Sequence, residues 1–250
     1  MQSKEMHMLS QDELKLYDRQ IMIPELGIEG QQKLKQARVF IAGAGGLGSA
    51  VSFYLAAAGV GTMVIADHDN VEISNLNRQI IHWRKNVGFK KVESAREKIT
   101  SLNSFINVEV IDKTLTDSNI LELTEGCDAI VDAMDNILSR FILNRAAISW
   151  KIPLFHGAVS GLEGRATTII PGKTACIGCM YKADIKSSKF PVLGVAPGLI
   201  GVIQATEVIK YLTGMGNLLE NRLLIYDGME LKFKEFQLDR NPECTECNVI

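Results

Sequence analysis

The sequence predicts an α/β protein: a Rossmann-like, mostly parallel sheet with helices on both faces, continuing into antiparallel strands and closed by a four-cysteine zinc staple. Three observations carry this. A glycine-rich loop, Gly43-Ala44-Gly45-Gly46-Leu47-Gly48, follows the apolar run Val39-Phe40-Ile41 and opens a helical pattern, Val51 to Ala58, that Gly59 closes. Short apolar runs then alternate with helical stretches as far as residue 156, the rhythm of βαβ units. Two Cys-x-x-Cys pairs, Cys176/Cys179 and Cys244/Cys247, lie in the second half.

In order along the chain, Ser10 and Glu13 form a capping box for a short helix running to about Ile21, which Pro24 and Gly27 break. Gly30 to Gln36 reads as a second short helix. Gly43, Gly45 and Gly48 fit G-x-G-x-x-G. The first glycine turns the chain, the second lets backbone approach a phosphate, and the third lets helix pack on strand. The helix N-terminus beyond them favours an anion. Thr62 to Ala66 reads as a second strand, ending at Asp67 where a ribose-binding acid is expected. On this fingerprint alone, a dinucleotide such as NAD is favoured.

Asp69 and the run Ser74-Asn75-Leu76-Asn77-Arg78-Gln79 make a donor-rich loop beside that site. A dinucleotide fold needs no such cluster; a triphosphate, charged at several oxygens, does. Lys90 and Lys91 open a helix to about Asn103, and either reads equally as a solvated helix charge. Val108 to Ile111 is the third strand and Leu115 to Leu123 a helix. Ala129 to Ala133 is a buried strand of parallel type ending at Asp135-Asn136, and a helix follows over Ile137 to Ser149. Ligands lie beyond the carboxyl ends of such strands, so Asp135 meets the nucleotide and suits Mg²⁺; Asp135 or Asn136 also serves as helix cap. Ile152 to His156 is the next strand, with His156 a core or strand-end histidine, and Glu163 to Ile170 begins the antiparallel portion. Met180 to Pro191 lacks a period and reads as a surface crossover. Val195 to Tyr211 is a long apolar helix closed by Gly214, and Arg222–Tyr226 and Leu231–Leu238 are strands joined at Asp227-Gly228.

The 250 residues form one domain, with a nucleotide-binding half over 1–155 and a substrate-binding, zinc-stapled half over 156–250. The 27 basic and 29 acidic side chains nearly balance, so no global field points to nucleic acid or an anionic membrane. The longest apolar stretch, Val192 to Ile203, is too short to span a bilayer, and Lys4 and Glu5 precede no signal-like apolar run. Cytoplasm is the expected compartment, and there two Cys-x-x-Cys pairs suggest metal before disulfide. Four thiolates fill a tetrahedral Zn²⁺, so this metal staples and leaves no open position for catalysis. Cys127 stands alone and reads as a packed thiol.

Together these landmarks resemble the ThiF/MoeB/HesA adenylyltransferases, kin of the ubiquitin-activating enzymes, over nearly the whole chain. The resemblance rests on Tyr17-Asp18-Arg19-Gln20, the glycine loop, Asp67-His68-Asp69, Ser74 to Gln79, Lys91, Asp135-Asn136, Gly157-Ala158-Val159 and both cysteine pairs. It replaces NAD with ATP as the expected nucleotide. It implies that Gly43, Gly45, Gly46 and Gly48 hold ATP, with Asp69, Gln79 and Asn136 in the same site, that Asp67 holds the ribose, and that Asn75, Arg78 and Lys91 bind phosphates. Asp135 would organise Mg²⁺, and Arg19 would reach the triphosphate from the other subunit of a homodimer. Arg19, Arg78, Lys91 and Asp135 would carry catalysis. Cys176, Cys179, Cys244 and Cys247 would hold zinc.

The implied reaction is attack of a substrate carboxylate on the α-phosphorus of ATP. A carboxylate is already ionised at neutral pH, so no general base is needed; masking of charge and in-line placement are. The implied substrate is the C-terminal glycine of a ubiquitin-like sulfur-carrier protein, or alternatively a small carboxylate metabolite such as a guanylylpyridinol in hydrogenase cofactor synthesis. Some relatives carry an acceptor cysteine in the crossover. This chain has none between Cys179 and Cys244, where the crossover reads Lys186-Ser187-Ser188-Lys189-Phe190. Transthiolation by this chain is therefore not expected. NAD-dependent oxidoreduction and a non-catalytic nucleotide scaffold are the rival readings.

Overall fold

A computed structural model describes residues 8–182 and 190–248. The crossover residues Lys186, Ser187, Ser188 and Lys189 lie outside the described residues. Among the described residues eight strands form one sheet: β1 (Arg38–Ala42), β2 (Thr62–Ala66), β3 (Asn107–Ile111), β4 (Ala129–Asp132), β5 (Leu154–Ser160), β6 (Glu163–Ile169), β7 (Arg222–Asp227) and β8 (Lys232–Gln237). Their order is β3-β2-β1-β4-β5-β6-β7-β8. The first five strands run parallel; β5 to β8 pair antiparallel. The helices are α1 (Gln11–Leu16), α2 (Asp18–Ile21), α3 (Gly27–Gln36), α4 (Gly46–Ala58), α5 (Lys91–Leu102), α6 (Ile120–Leu123), α7 (Ile137–Trp150), α8 (Ile177–Met180) and α9 (Val195–Thr213).

The strand pleat sorts the core into two faces. Val39 and Ile41 of β1 join Met63, Ile65, Val131 and Phe155 under α3, α4, α5 and α9. Phe40 and Ala42 join Val64, Ile130 and Leu154 under α6, α7 and α8. The long apolar helix α9 lies against α4, β5 and β6. Gly201 permits this approach: a Cβ there would stand 2.6 Å from the Leu47 carbonyl.

Several boundaries differ from the sequence expectation. The expected first helix breaks at Tyr17, a side chain only 2% exposed, whose hydroxyl accepts from Asn103 Nδ2 at 2.8 Å. Helix α3 starts at Gly27 and not Gly30. Helix α4 starts at Gly46, well before Val51, so Gly46 and Gly48 are its first-turn residues. Of the helix expected over Leu115 to Leu123, only Ile120–Leu123 forms. The Asn119 side chain accepts from Thr116 N and donates to Thr114 O, a local turn that competes with helix. Strand β5 begins after Pro153, because the Ile152 N–H closes α7 on Ala147 O. The Ser10–Glu13 capping box is present, with Glu13 N donating to Ser10 Oγ at 3.2 Å.

Candidate functional site

Strand order reverses between β1 and β4, and there a cavity of about 860 Å³ opens beyond the carboxyl ends of the parallel strands. Gly43, Gly45 and Gly46 after β1, Asp67 and Asp69 after β2, Arg78 and Gln79 of the donor-rich loop, Lys91 of α5, and Asp135 and Asn136 after β4 all line it. Three expected residues do not. Gly48 lies against the Gly43 carbonyl, where a Cβ would collide, and so sets the packing of helix on strand. Asn75 is buried and caps a single 3-10 turn, accepting from Glu72 N at 3.0 Å. Arg19 is exposed on α2.

The glycine loop is pinned from two sides. Ala44 N donates to Asp67 Oδ2 at 2.8 Å. Ala44 O accepts from His82 Nε2 at 2.8 Å, which fixes the histidine tautomer, and Nδ1 accepts from Ser94 Oγ at 2.9 Å. Burial drives the His82 pKa down to about 4, with Lys91 and Lys98 adding to the effect and the Ala44 bond opposing it. Asp67, expected at a ribose, therefore also fastens the loop, and its Oδ1 accepts from Asp69 N at 2.9 Å. Sequence reading passed over His82. Its only local signal was a histidine just beyond the donor-rich stretch.

Lys91 is 6% exposed and donates from Nζ to Asp69 Oδ2 at 2.8 Å. Burial raises the Asp69 pKa, but the bond and charge of Lys91 outweigh it and hold the carboxyl below its ordinary value. Arg78 donates to Ser74 O and Asn77 Oδ1, at 2.9 and 3.0 Å, from a half-buried position. Asn136, not Asp135, is the N-cap of α7, accepting from Ser139 N at 2.9 Å. That leaves the Asp135 carboxylate available to the cavity. Gln79 Oε1 is buried without a hydrogen-bond partner among the described residues; a ligand hydroxyl or amino group would satisfy it, which fits a nucleoside. His68 and Ser139, which sequence reading did not place here, also line the cavity. Ser139 has no basic side chain within hydrogen-bonding distance among the described residues, so it lacks the activation a nucleophile needs.

Beneath the floor runs a buried chain. His156 Nδ1 donates to Asp132 Oδ2 at 2.6 Å and its Nε2 accepts from the Tyr181 hydroxyl at 3.2 Å. Burial lowers the His156 pKa against the pull of Asp132, so the ring is neutral. This agrees with its reading as a core histidine.

The second site is the cysteine cluster. Sulfur atoms stand 3.6 Å apart for Cys176–Cys244, 3.9 Å for Cys176–Cys179 and 3.7 Å for Cys179–Cys247, and all four lie within 4.8 Å of one another. Four thiolates bound tetrahedrally at the usual Zn–S length would be about 3.8 Å apart. The donor set therefore fits zinc and closes it. Asn241 N donates to Cys179 Sγ at 3.4 Å, and Asn144 Oδ1 accepts from Ile177 N at 3.1 Å, fixing α8 beneath the cluster.

The sequence pattern of the ThiF family matches residues 17–247. The chain is 42% identical over 245 residues to the SAMP-activating enzyme E1 of Haloferax volcanii, covering 96% of this chain and 90% of that protein. It is 36% identical over 249 residues to the sulfur carrier protein adenylyltransferase of Thermus thermophilus, covering 95% and 92%. It is 40% identical over 247 residues to the adenylyltransferase and sulfurtransferase MOCS3 of Culex quinquefasciatus, covering 96% of this chain but only 56% of that protein, about half its length. Among solved structures, Escherichia coli MccB with ATP superimposes with a TM-score of 0.78 at 26% identity, over 88% of this chain and 69% of that one.

Proposed function

The chain belongs to the ThiF family, and from that premise we propose that it is an ATP-dependent adenylyltransferase. A substrate carboxylate oxygen bonds to the α-phosphorus of ATP, and the bond from that phosphorus to the bridging oxygen breaks. Pyrophosphate leaves with the electron pair, and an acyl-adenylate remains. The substrate is the C-terminal glycine of a ubiquitin-like sulfur-carrier protein. Residues 1–250 act in this as one cytoplasmic domain. The observation that carries the reading is the convergence of the glycine loop, Arg78, Lys91 and Asp135 on one cavity at the strand-order reversal. The activities named for the relatives, two adenylyltransferases and one of them acting on a sulfur carrier protein, support it.

The loop and the α4 N-terminus offer backbone N–H groups to phosphate. Lys91 trades its Asp69 partner for phosphate oxygens, and Arg78 leaves two local acceptors for stronger charged ones. Gln79 and Asp67 face the nucleoside. Asp135 would hold Mg²⁺, which when bound masks phosphate charge. The cavity wall carries Arg78, Lys91, Lys113 and Arg140 against Asp67, Asp69 and Asp135. Four cations against three carboxylates do not offset a triphosphate and a carboxylate together. We therefore include in the reading a homodimer in which Arg19, exposed outside its own cavity, enters the cavity of the other copy. The zinc is structural.

ATP–pyrophosphate exchange tests the reading. With Mg²⁺ and a ubiquitin-like sulfur-carrier protein ending in Gly-Gly, exchange is expected. It is expected to stop when that terminus is an amide. Exchange indifferent to the terminus, or NAD binding without ATP binding, would overturn the proposal.

A further inference from the structure

Arg140, like Lys113, is a cavity cation that neither the sequence landmarks nor the family resemblance picks out. It stands in the first turns of α7, and its guanidinium folds back over the end of β4. Nη2 donates to Met134 O at 2.8 Å and reaches Gly157 O at 3.5 Å. Nε lies 3.5 Å from Asp132 Oδ2, and it is buried with no hydrogen-bond partner among the described residues. The side chain is 13% exposed and lines the cavity.

Its counter-ion is largely engaged elsewhere. Asp132 Oδ1 accepts from Met134 N, and Oδ2 accepts from His156 at 2.6 Å. A guanidinium has five N–H donors in one plane, and here two go to neutral carbonyls and one is orphaned. A desolvated cation held this way is costly unless a further anion completes it. Two anions enter the proposed reaction. The triphosphate has the glycine loop, Arg78 and Lys91. Arg140 lines the same cavity from α7, over the ends of β4 and β5, in a lining that also includes the apolar side chains Val159 and Val192. An in-line attack requires the nucleophile to approach from the side opposite the leaving pyrophosphate.

We propose that Arg140 receives the substrate carboxylate and aims it at the α-phosphorus. This rests on the adenylyltransferase reading above. The planar fork suits a carboxylate bound through two oxygens. Asp132, His156 and Tyr181 act behind it as positioning residues, a buried chain that fixes the fork's orientation from the segment following Cys179.

The test is equilibrium binding of a Gly-Gly-ended sulfur-carrier protein, as free acid and as C-terminal amide, with ATP affinity measured in parallel. Wild type is expected to prefer the acid by about tenfold or more. Arg140→Gln is expected to bind acid and amide alike while its ATP affinity stays within about twofold of wild type. Arg140→Lys, which keeps charge and loses the fork, is expected to restore part of the preference, and it serves if Arg140→Gln does not fold. A preference unchanged in both variants overturns the proposal, as does equal loss of ATP and carrier affinity. Absence of carrier-dependent pyrophosphate exchange in wild type overturns instead the activity on which it rests.

Discussion

Replacing Gly43 by alanine tests whether the glycine loop is held as tightly as its contacts imply. Gly43 has φ +100°, a conformation L side chains rarely adopt, and alanine there carries strain of about 1–3 kcal/mol. The new Cβ would also stand 2.8 Å from Ala133 O. Ordinary contact begins at 3.4 Å, so the ends of β1 and β4 must part by about 0.6 Å. Overpacking of that kind adds about 1–3 kcal/mol. A total near 3 kcal/mol lowers the thermal midpoint of a chain this size by about 6–12 °C. The displaced loop lies at the phosphate site, where a shift approaching 1 Å costs on the order of 10²-fold in rate; kcat/KM for ATP is expected to fall at least about tenfold. Gly126→Ala is the control. Gly126 has φ +70° with nothing within 4 Å of a Cβ, and it precedes β4 at the end away from the cavity. It should lose about 1 kcal/mol and no activity. Differential scanning calorimetry and pyrophosphate exchange on both variants decide. If Gly43→Ala melts with Gly126→Ala and exchanges like wild type, the loop is not the rigid element described.

Arg78→Ala and Lys91→Ala are each expected to lower the adenylation rate by about 10²-fold or more, as for other groups that stabilise transition-state charge, measured by single-turnover formation of AMP-linked product. Cys244→Ser should abolish stoichiometric zinc by elemental analysis and reduce stability by on the order of 3 kcal/mol or more, read from denaturant midpoints. Acid should weaken the fold through His82. Its folded pKa of about 4 lies below the unfolded 6.5, so the unfolded chain takes up a proton that the folded chain refuses. The contribution is complete above about pH 6.5 and lost as pH falls toward 4, on the order of 3 kcal/mol in all. Urea midpoints across that window should slope less in His82→Gln than in wild type.

What was legible in the sequence was what short-range pattern encodes. Thr62–Ala66 matches its expected strand end to end, Gly59 and Gly214 close their helices, and the turn at Asp227-Gly228 joins two antiparallel strands. The rule that ligands lie at strand ends placed Asp67 and Asp135, the donor-rich loop pointed to Arg78, and the family resemblance implied Lys91, and all four line the one cavity. What escaped depends on partners distant in the chain. His82 is defined by a carbonyl at Ala44 and Arg140 by the Asp132 carboxylate at the end of β4, and neither contact leaves a trace in local periodicity. For Asn75 the resemblance implies a phosphate ligand, while its Oδ1 accepts from Glu72 N across a single turn, a contact its place in the motif does not reveal. The pattern places the start of α4 late because Gly46 and Gly48 look like loop, yet their close approach to Pro197 of α9 and to Gly43 puts them inside the helix.

The double pinning of the Ala44 peptide bears on the entropy of nucleotide capture. A glycine-rich segment that froze only on meeting its ligand would charge each association with about 1–2 kcal/mol per ordered residue. Here Asp67 and His82 immobilise the segment during folding, so that cost falls once in the life of the molecule and not once per turnover. Deuterium uptake at the Ala44 amide should accordingly be as slow in the free enzyme as in the strands beside it.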